Sequence, residues 1–334
     1  MIDIARMAGV STSTVSRALN GSELIHPETR QRISELAKSL NYTINQSAKN
    51  LRLGENRTIG LVIPYGKKTR QHLTDPFFLA MLGSLADALT ENNYDMLLSR
   101  VDSDRLVDLA SLYDTGRASG IVVIGQWGHH DQLNELATRK VPMVVWGAQM
   151  PQQLYVSVGS DNLSGGYLAT QHLIKQGRQR IAFMGDISLP EPASRCEGYL
   201  NAHKDHRLQI SPDLLITSPF TPEGAQAAMS EFLDKKIAFD GLVAASDLMA
   251  INAIGVMKGR GLQVPQDVGV VGYDDIDQAA HSFPPLSTVR QPTDLAGKVI
   301  MDSLMAMLNG ESVPSQVIPT SLVIRESSVV QPKP

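Results

Sequence analysis

Eight short apolar runs, separated by longer segments with helical periodicity, constrain the fold of this chain more than any other feature. The runs are apolar on both faces, which is typical of parallel strands in a sheet that helices cover on both sides. They are IGLVIP (59–64), DMLLSRV (95–101), GIVVIG (120–125), MVVW (143–146), RIAFMG (180–185), LLITSPF (214–220), GLVAAS (241–246) and VGVVGYD (268–274). Eight such units suit two doubly wound lobes better than one sheet.

The segments between and after these runs predict how the two lobes are connected. Amphipathic helices are predicted over 78–91, 165–176 and 222–234. A last helix, 294–308, and a late strand run, 317–326, follow the eighth run and are expected to cross back between the lobes. The predicted fold class is therefore α/β with two parallel-sheet lobes. We expect the lobes to cover about 58–160 with 291–318, and about 161–290 with 319–330.

Composition restricts the cellular setting of the chain. Its single cysteine, Cys196, excludes an internal disulfide framework and agrees with a reducing compartment. No apolar run approaches the roughly 20 residues that a membrane helix needs, and the first residues do not form a secretory signal. We therefore expect a cytoplasmic protein that has no membrane partner.

Charge is distributed unevenly along the chain. Residues 1–57 carry eight basic and five acidic side chains, a net charge of +3, whereas the remaining 277 residues carry 22 basic and 29 acidic ones, a net charge of −7. A small basic head on a larger acidic body indicates that the head is the part that meets a polyanion.

The first twenty residues have the spacing of a helix-turn-helix. A short helix over 2–7 and a turn at 8–10 precede a second helix that Ser11 caps and that ends at Leu19. We expect a small core of Ile4, Ala5, Ala8, Val10, Val15 and Leu19, and an outward face of Thr12, Ser13, Thr14, Ser16 and Arg17. Short hydroxyl side chains at a helix N-terminus can bond phosphates and base edges, and arginine can bind guanine O6 and N7. The alternative is an ordinary capped surface helix.

Two further segments complete the predicted head and its connection to the body. A third helix is expected from Pro27 to Leu40, with Ile33, Leu36, Ala37 and Leu40 closing the core. The following segment, 45–54, has Ala48 and Leu51 on one face. A helix this short is marginal in water, so we expect it to form only when a partner holds it.

Nearly the whole chain resembles the LacI/GalR family of bacterial transcription regulators. The residues that carry this resemblance occur in family order and are highly specific. They are DIARMAGVSTSTVSRALNG, TRQRISELAKSLNYTIN, AKNLR, IGLVIP, DPFF, GIVVIG, SDNLSGGYLATQHLIKQGRQRIAFMG, SRCEGY, SDLMAINAIGVMKGRGLQVPQDVGVVGYDD, PPLSTVRQP and VIPTSLVIRESS. The resemblance implies a body like type I periplasmic binding proteins. It also implies a helix-turn-helix domain at 1–44, a hinge helix and linker at 45–57, and an effector-binding and dimerisation domain at 58–330.

The resemblance also implies how this chain would meet DNA. Thr12, Ser13 and Arg17 would read bases in the major groove, and Leu51 from each of two subunits would wedge into the minor groove. The partner would be a palindromic operator bound by a homodimer. The complete set of DNA-binding residues that we expect is Ser11, Thr12, Ser13, Thr14, Ser16, Arg17, Asn20, Asn45, Ala48, Leu51 and Arg52.

Aromatic and polar residues at predicted strand ends indicate an effector site in the body. Ligands of parallel sheets bind beyond the carboxyl ends of the strands, and a pyranose combines an apolar face with a rim of hydroxyls. The family resemblance places Phe78, Arg195, Phe220, Ser246 and Asp274 in the effector cleft. The complete set of effector-binding residues that we expect is Phe78, Gln126, Trp127, Trp146, Arg195, Phe220, Ser246 and Asp274.

Several alternatives concern the effector and the class of protein. Gly147 and Ala148 stand where several family members have a charged ligand-binding residue, so the two tryptophans favour a stacked sugar such as glucose or a glucoside. A sugar-binding transport protein and a regulator with a non-sugar effector, such as a nucleobase or a phosphoprotein, are the alternatives. The effector would either release the protein from DNA or strengthen its binding. No nucleophile, base and orienting group can be assembled from the spacing, so we expect no enzyme, cofactor or metal site.

The expected role of Arg17 leads to a prediction about base specificity. We expect Arg17→Ala to cost about 1–3 kcal/mol of binding free energy at the preferred base pair, because a bidentate contact is lost. Binding of the two proteins to a complete set of single-base operator variants measures this loss. An unchanged base preference would contradict the predicted register of the second helix.

Overall fold

The computed structural model describes residues 1–19, 22–40, 42, 56–66 and 72–330. The chain divides into two compact units, Met1–Asn56 and Arg57–Pro334, called here the head and the body. In the described ranges, no helix combines the length and the hydrophobicity needed to cross a membrane.

The head consists of three short helices around a small apolar core. They are α1 (Ile2–Ala8), α2 (Thr12–Leu19) and α3 (Pro27–Ser39). The buried side chains are Ile4, Ala5, Ala8, Val15, Ala18, Ile33 and Ala37. This arrangement confirms the predicted helix-turn-helix head. Leu40 corrects the predicted core, because α3 ends at Ser39 and the Leu40 side chain is 44% exposed beyond it.

The body contains two six-stranded sheets, one in each lobe, which confirms the predicted two-lobed α/β fold. In sheet order, lobe 1 has β11 (Gln316–Ile318), β5 (Val156–Ser160), β4 (Met143–Trp146), β3 (Gly120–Ile124), β1 (Thr58–Val62) and β2 (Asp95–Ser99). Lobe 2 has β12 (Ser321–Val323), β10 (Ser287–Arg290), β9 (Gly269–Asp274), β8 (Gly241–Ala244), β6 (Ile181–Met184) and β7 (Leu215–Ile216). All paired strands are parallel except β10 and β12.

Helices cover both faces of each sheet. In chain order they are α4 (Pro76–Glu91), α5 (Ala110–Asp114), α6 (His130–Thr138), α7 (Asn162–Lys175), α8 (Pro190–Asp205), α9 (Pro222–Asp234), α10 (Asp247–Gly259), α11 (Asp277–His281) and α12 (Thr293–Leu308), with 3-10 turns at Ser103–Leu109 and Pro212–Leu214. The chain passes between the lobes three times, after β5, after β10 and between β11 and β12. The predicted crossing by the last helix and the late strand run is therefore present in the fold.

Two central strands, β5 and β10, escaped the prediction from apolar runs. Their sequences, VSVGS and STVR, contain hydroxyl and glycine residues in place of large apolar ones. The hydroxyls are nevertheless buried because each finds a partner: Ser160 Oγ donates to Gln291 Oε1 (2.5 Å), and Thr288 Oγ1 donates to Asp247 Oδ1 (2.5 Å). Tertiary partners, which an apolar pattern does not reveal, make these polar strands stable in the sheet.

The sixth predicted strand is much shorter than its apolar pattern indicated. The run 214–220 contains only the two-residue edge strand β7. Ser211 starts a 3-10 turn before it, and Pro219 after it has no N–H to donate to a sheet. Phe220 therefore does not end a strand but lies directly before Thr221, the N-cap of α9.

Helices α7 and α8 pack with their backbones in close approach. A Cβ atom at Gly198 would overlap the carbonyl oxygen of Leu163, and one at Gly166 would overlap that of Arg195. These two glycines therefore allow a separation that side chains would prevent. The contact holds the N-terminal half of α8, which carries Arg195, against the start of α7.

This close approach predicts opposite effects for two helix glycines. We expect Gly198→Ala to lower the free energy of unfolding by about 1–3 kcal/mol, because the added methyl group meets backbone atoms. The control Gly255→Ala lies in α10 with nothing within 4 Å of its Cβ position, and should raise it by about 0.5–1 kcal/mol. Urea unfolding of both variants measures the difference, and a stabilising Gly198→Ala would contradict the proposed packing.

Candidate functional site

A cavity that is open to solvent lies between the two lobes of the body. It opens beyond the carboxyl ends of strands from both sheets, where parallel sheets bind ligands. Its described lining consists of Asp75, Phe77, Phe78, Ile124, Gly125, Gln126, Trp127, Trp146, Leu189, Glu191, Pro192, Arg195, Phe220, Asp274 and Gln291. Seven of the eight predicted effector-binding residues are in this lining, and Ser246 is the exception.

Lobe 1 contributes an aromatic wall to the cavity. Trp146 ends β4, and its ring centroid lies 6.3 Å from that of Phe77 at the start of α4. The Phe77 and Phe78 centroids are 6.0 Å apart. Trp127 lies in the turn after β3 with φ of 52°, a left-handed conformation that non-glycine residues rarely adopt. Flat apolar faces of this kind are suited to stack against a ring-shaped ligand.

Gln126 lines the cavity and is held in place by two hydrogen bonds within lobe 1. Its Nε2 donates to the Ala148 carbonyl oxygen (2.7 Å) and to the Tyr155 hydroxyl (2.8 Å), and His130 Nδ1 lies 3.0 Å from the same hydroxyl. A Cβ atom at position 147 would come within 2.6 Å of Gln126 Cδ, so the glycine there makes room for this side chain. Position 147 is one of the two at which several family members have a charged residue. The glycine here thus has a local structural reason, since a larger residue would overlap Gln126.

Arg195 is buried at the lobe 2 side of the cavity. Its Nε donates to Asn162 Oδ1 (2.7 Å), its Nη1 donates to the Ala245 carbonyl oxygen, and its guanidinium stacks 3.8 Å from the centroid of the Tyr273 ring. A buried cation needs such partners to offset its lost hydration. Arg195 therefore joins α7, the end of β8 and β9 in addition to lining the cavity.

Asp274, at the end of β9, faces Arg195 and connects to the other lobe. Its Oδ1 accepts from Gln291 Nε2 (2.6 Å), and Gln291 Oε1 accepts from Ser160 at the end of β5 (2.5 Å). Burial, with a contribution from Asp75, raises the pKa of Asp274 to about 7, although Arg195 and the Gln291 hydrogen bond oppose this rise. A raised pKa in a cleft is typical of groups that bind ligands.

Ser246 is located next to the site but has a different contact from the one expected. It is the N-cap of α10, where its hydroxyl accepts from the Met249 N–H (3.2 Å), and it does not line the cavity. Its position directly before a helix that begins at Asp247 explains the difference, because a helix start needs a side-chain acceptor. A direct effector contact for Ser246 is therefore not part of our proposal.

Several lining residues were absent from the predicted site. They are Asp75, Phe77, Leu189, Glu191, Pro192 and Gln291, with Ile124 and Gly125 of the β3 end. Phe77 adjoins the predicted Phe78, and Asp75 caps α4 by accepting from the Phe77 N–H (3.0 Å). Glu191 has only the proline residues on either side as a sequence signal. It enters the cavity because α8 begins there.

The predicted DNA-binding residues of the head differ in their exposure to solvent. Thr12, Ser13 and Arg17 are exposed on α2, and Ser11 Oγ accepts from the Thr14 N–H (3.1 Å), which confirms the predicted cap. Thr14 is half-buried. Ser16 corrects the predicted outward face: it is buried, because it lies three residues before Leu19 at the edge of the core-facing side. Outside the described residues lie Asn20, Asn45, Ala48, Leu51 and Arg52.

The environment of Asp274 predicts a pH-dependent stability. A carboxyl whose pKa is raised by folding destabilises the folded state as pH rises from about 4 through about 7. We therefore expect Asp274→Asn to raise the free energy of unfolding at pH 8 by as much as about 4 kcal/mol, with the gain disappearing below pH 4. Denaturant unfolding between pH 4 and 8 tests this, with Asp302→Asn at an exposed position of α12 as the control for a lost charge. A gain in the free energy of unfolding that is independent of pH would contradict the raised pKa of Asp274.

Comparison with known protein families assigns both parts of the chain. Residues 1–45 match the family described as bacterial regulatory proteins, lacI family, and residues 170–328 match the periplasmic binding protein-like domain. The chain is 32% identical to the HTH-type transcriptional regulator CelR of Thermobifida fusca over 330 residues, 97% of this chain and 96% of that protein.

Comparison with solved structures agrees with this assignment. The structure of a transcriptional regulator CelR–cellobiose complex superposes with a TM-score of 0.73 at 31% identity, covering 97% of this chain and 98% of that one. The lac repressor dimer bound to operator and the anti-inducer ONPF has a TM-score of 0.87 at 24% identity, with 98% of each chain covered, and supports the fold. The CelR relative is described as a transcriptional regulator and not as an enzyme. The chain belongs to the LacI family of bacterial transcription regulators.

Proposed function

We propose that this protein represses genes of sugar utilisation and that a small sugar in the cavity between the lobes controls its affinity for operator DNA. The observation that carries this proposal is the cavity lining, in which five aromatic rings adjoin carboxyl, amide and guanidinium groups. Apolar faces for stacking beside a few fixed polar groups are the combination that a pyranose ring requires. Of possible sugars, we favour glucose or a glucoside, since the related CelR was solved with cellobiose.

The DNA end of the proposal rests on α2. Thr12, Ser13 and Arg17 are exposed together at the recognition helix, where a hydroxyl pair and a guanidinium can reach phosphates and a guanine edge. One head with a net charge of +3 over residues 1–57 neutralises few phosphates. Two heads on a palindromic site would double that contribution, which favours a dimer acting on DNA in the cytoplasm.

Exposed apolar side chains on the body support a homodimer. The edge strand β2 presents Met96 and Leu98 to solvent, and Leu79 is exposed on α4 of the same lobe. In lobe 2, Phe283 is 82% exposed. An apolar edge strand that is open to solvent is typical of a surface that a second subunit covers.

The connection between the lobes indicates how the effector would act on DNA binding. Asp274, Gln291 and Ser160 form a hydrogen-bonded chain that begins in the cavity and ends in lobe 1. A sugar hydroxyl that bonds Asp274 competes with or reinforces this chain, and so favours one relative placement of the lobes. Placement of the lobes would then control whether the expected hinge helices of the two subunits, within 45–57, come together on DNA. The sign of the response depends on which placement the sugar favours.

The proposal predicts a coupled response to sugar and DNA. A site selected from random DNA by the full-length protein should contain two inverted half-sites. Among glucose, cellobiose and ribose, at least one should raise the thermal unfolding midpoint and change affinity for that site by about 5- to 150-fold.

The variant Trp127→Ala tests whether the cavity is the sugar site. It should abolish the response to the active sugar and leave sugar-free DNA affinity near wild type, because stacking is lost while the head is unchanged. Tyr113→Ala, which removes an exposed aromatic outside the cavity lining, is the matched control. A Trp127→Ala protein with a normal sugar response would contradict the site. A response to purine bases, in place of any sugar, would contradict the effector class.

A further inference from the structure

The polar groups around the cavity are mostly hydrogen-bond acceptors. Three carboxyl groups line it, from Asp75, Glu191 and Asp274, together with the amides of Gln126 and Gln291. Gln291 uses both ends of its amide inside the protein, in bonds to Ser160 and Asp274. When ionised, these carboxyl groups accept hydrogen bonds and do not donate them, so above the Asp274 pKa of about 7 a ligand here meets more acceptors than donors.

Arg195 is the one basic residue in the described lining, and its charge is already shared. Two of its nitrogens donate to Asn162 and to the Ala245 carbonyl oxygen, and its face stacks on Tyr273. The same guanidinium lowers the pKa of both Glu191 and Asp274. An incoming anion would have to compete with these two carboxyl groups for a single cation.

The carboxyl groups show that negative charge in the cavity is already unfavourable. Burial raises the pKa of Glu191 and of Asp274 even with Arg195 beside them, and Asp75 contributes to the rise at Asp274. A further negative charge would meet the same desolvation cost and would be repelled by Asp75 and Asp274, whereas hydroxyl or ammonium donors would hydrogen-bond to the carboxyl groups.

Gln126 gives an independent indication of what the ligand must carry. Its side chain is 0% exposed, both Nε2 hydrogen bonds are made within the protein, and in the described part of the chain its Oε1 has no partner. A buried carbonyl oxygen without a donor costs free energy that a ligand donor recovers. Because Tyr155 and Gly147 hold this amide in place, the missing donor is expected from the ligand.

We infer that the cavity selects an uncharged or cationic ligand rich in hydroxyl or amine donors and excludes phosphorylated or carboxylated ones, with Glu191 as the residue that sets this selectivity. The inference rests on the proposed function and narrows its effector class. Glu191 lies at the start of α8, across the cavity from the aromatic wall and one helical turn before Arg195.

Fluorescence quenching tests the charge of the cavity without knowledge of the effector. The chain has two tryptophans, both in the lining, so Trp146→Phe leaves Trp127 as the single reporter. At matched ionic strength, the quenching constant of Trp127 for each ion is divided by the constant of the same ion for free tryptophan, with neutral acrylamide as the reference for exposure. We expect this ratio to be higher for caesium than for iodide. In this background Glu191→Gln should raise the iodide quenching constant about twofold or more. Glu197→Gln, an exposed change on the same helix, should leave it unchanged. An iodide constant unaffected by Glu191→Gln would overturn the role of Glu191.

Matched ligands test the selectivity directly. Calorimetric titration with glucose, glucosamine and glucose 6-phosphate should show the phosphate at least about tenfold weaker than the better of the other two. Glu191→Gln should narrow this gap, and Glu197→Gln should not. Tighter binding of glucose 6-phosphate would overturn the inference while leaving a sugar effector in place. If none of the three binds, the sugar part of the proposed function is in doubt, and the quenching experiment alone decides the inference.

Discussion

The buried guanidinium of Arg195 is the interaction on which the organisation of lobe 2 and its cavity depends. A cation inside a protein is stable only when acceptors replace its lost water. Here Asn162 at the start of α7, the Ala245 carbonyl after β8 and the ring of Tyr273 in β9 supply them. Three elements are thereby brought to one point. The carboxyl groups of Glu191 and Asp274 can collect in the same cavity because this cation offsets part of their charge.

The close backbone contact between α7 and α8 places that guanidinium. Without side chains at Gly166 and Gly198, the two helices approach until their backbones touch, and Arg195 then reaches Asn162 across the contact. A wider separation would leave the guanidinium and its acceptors apart. Backbone packing at two glycines outside the lining thus determines the geometry of the polar end of the cavity. The aromatic end is set separately by β3, β4 and α4 of lobe 1.

The two ends of the cavity meet through a short polar chain at the crossing segments. Asp274, Gln291 and Ser160 come from lobe 2, a crossing segment and lobe 1. A ligand that alters the hydrogen bonding or protonation of Asp274 therefore acts on a contact between lobes and not only on a local pocket. An allosteric regulator needs a contact whose stability differs between two arrangements, and under the proposed function this hydrogen-bonded chain would supply it.

The sequence by itself determined the elements that depend on local pattern: the helix-turn-helix head, strands such as β3 and β4, and the family of the protein. It also predicted seven of the fifteen described lining residues of the cavity, in part because residues that follow parallel strands meet at one edge of a sheet. Other features depend on partners far away in the chain. The hydroxyl groups of strands β5 and β10 are stable in the sheets because Ser160 donates to Gln291 and Thr288 donates to Asp247. Ser16 is buried by the packing of the head. The Ser246 hydroxyl accepts a hydrogen bond at the start of a helix. Glu191 has no local signal beyond the prolines on either side of it, and the packing of α8 against α7 brings the start of that helix to the cavity. Burial and charge are properties of the tertiary structure.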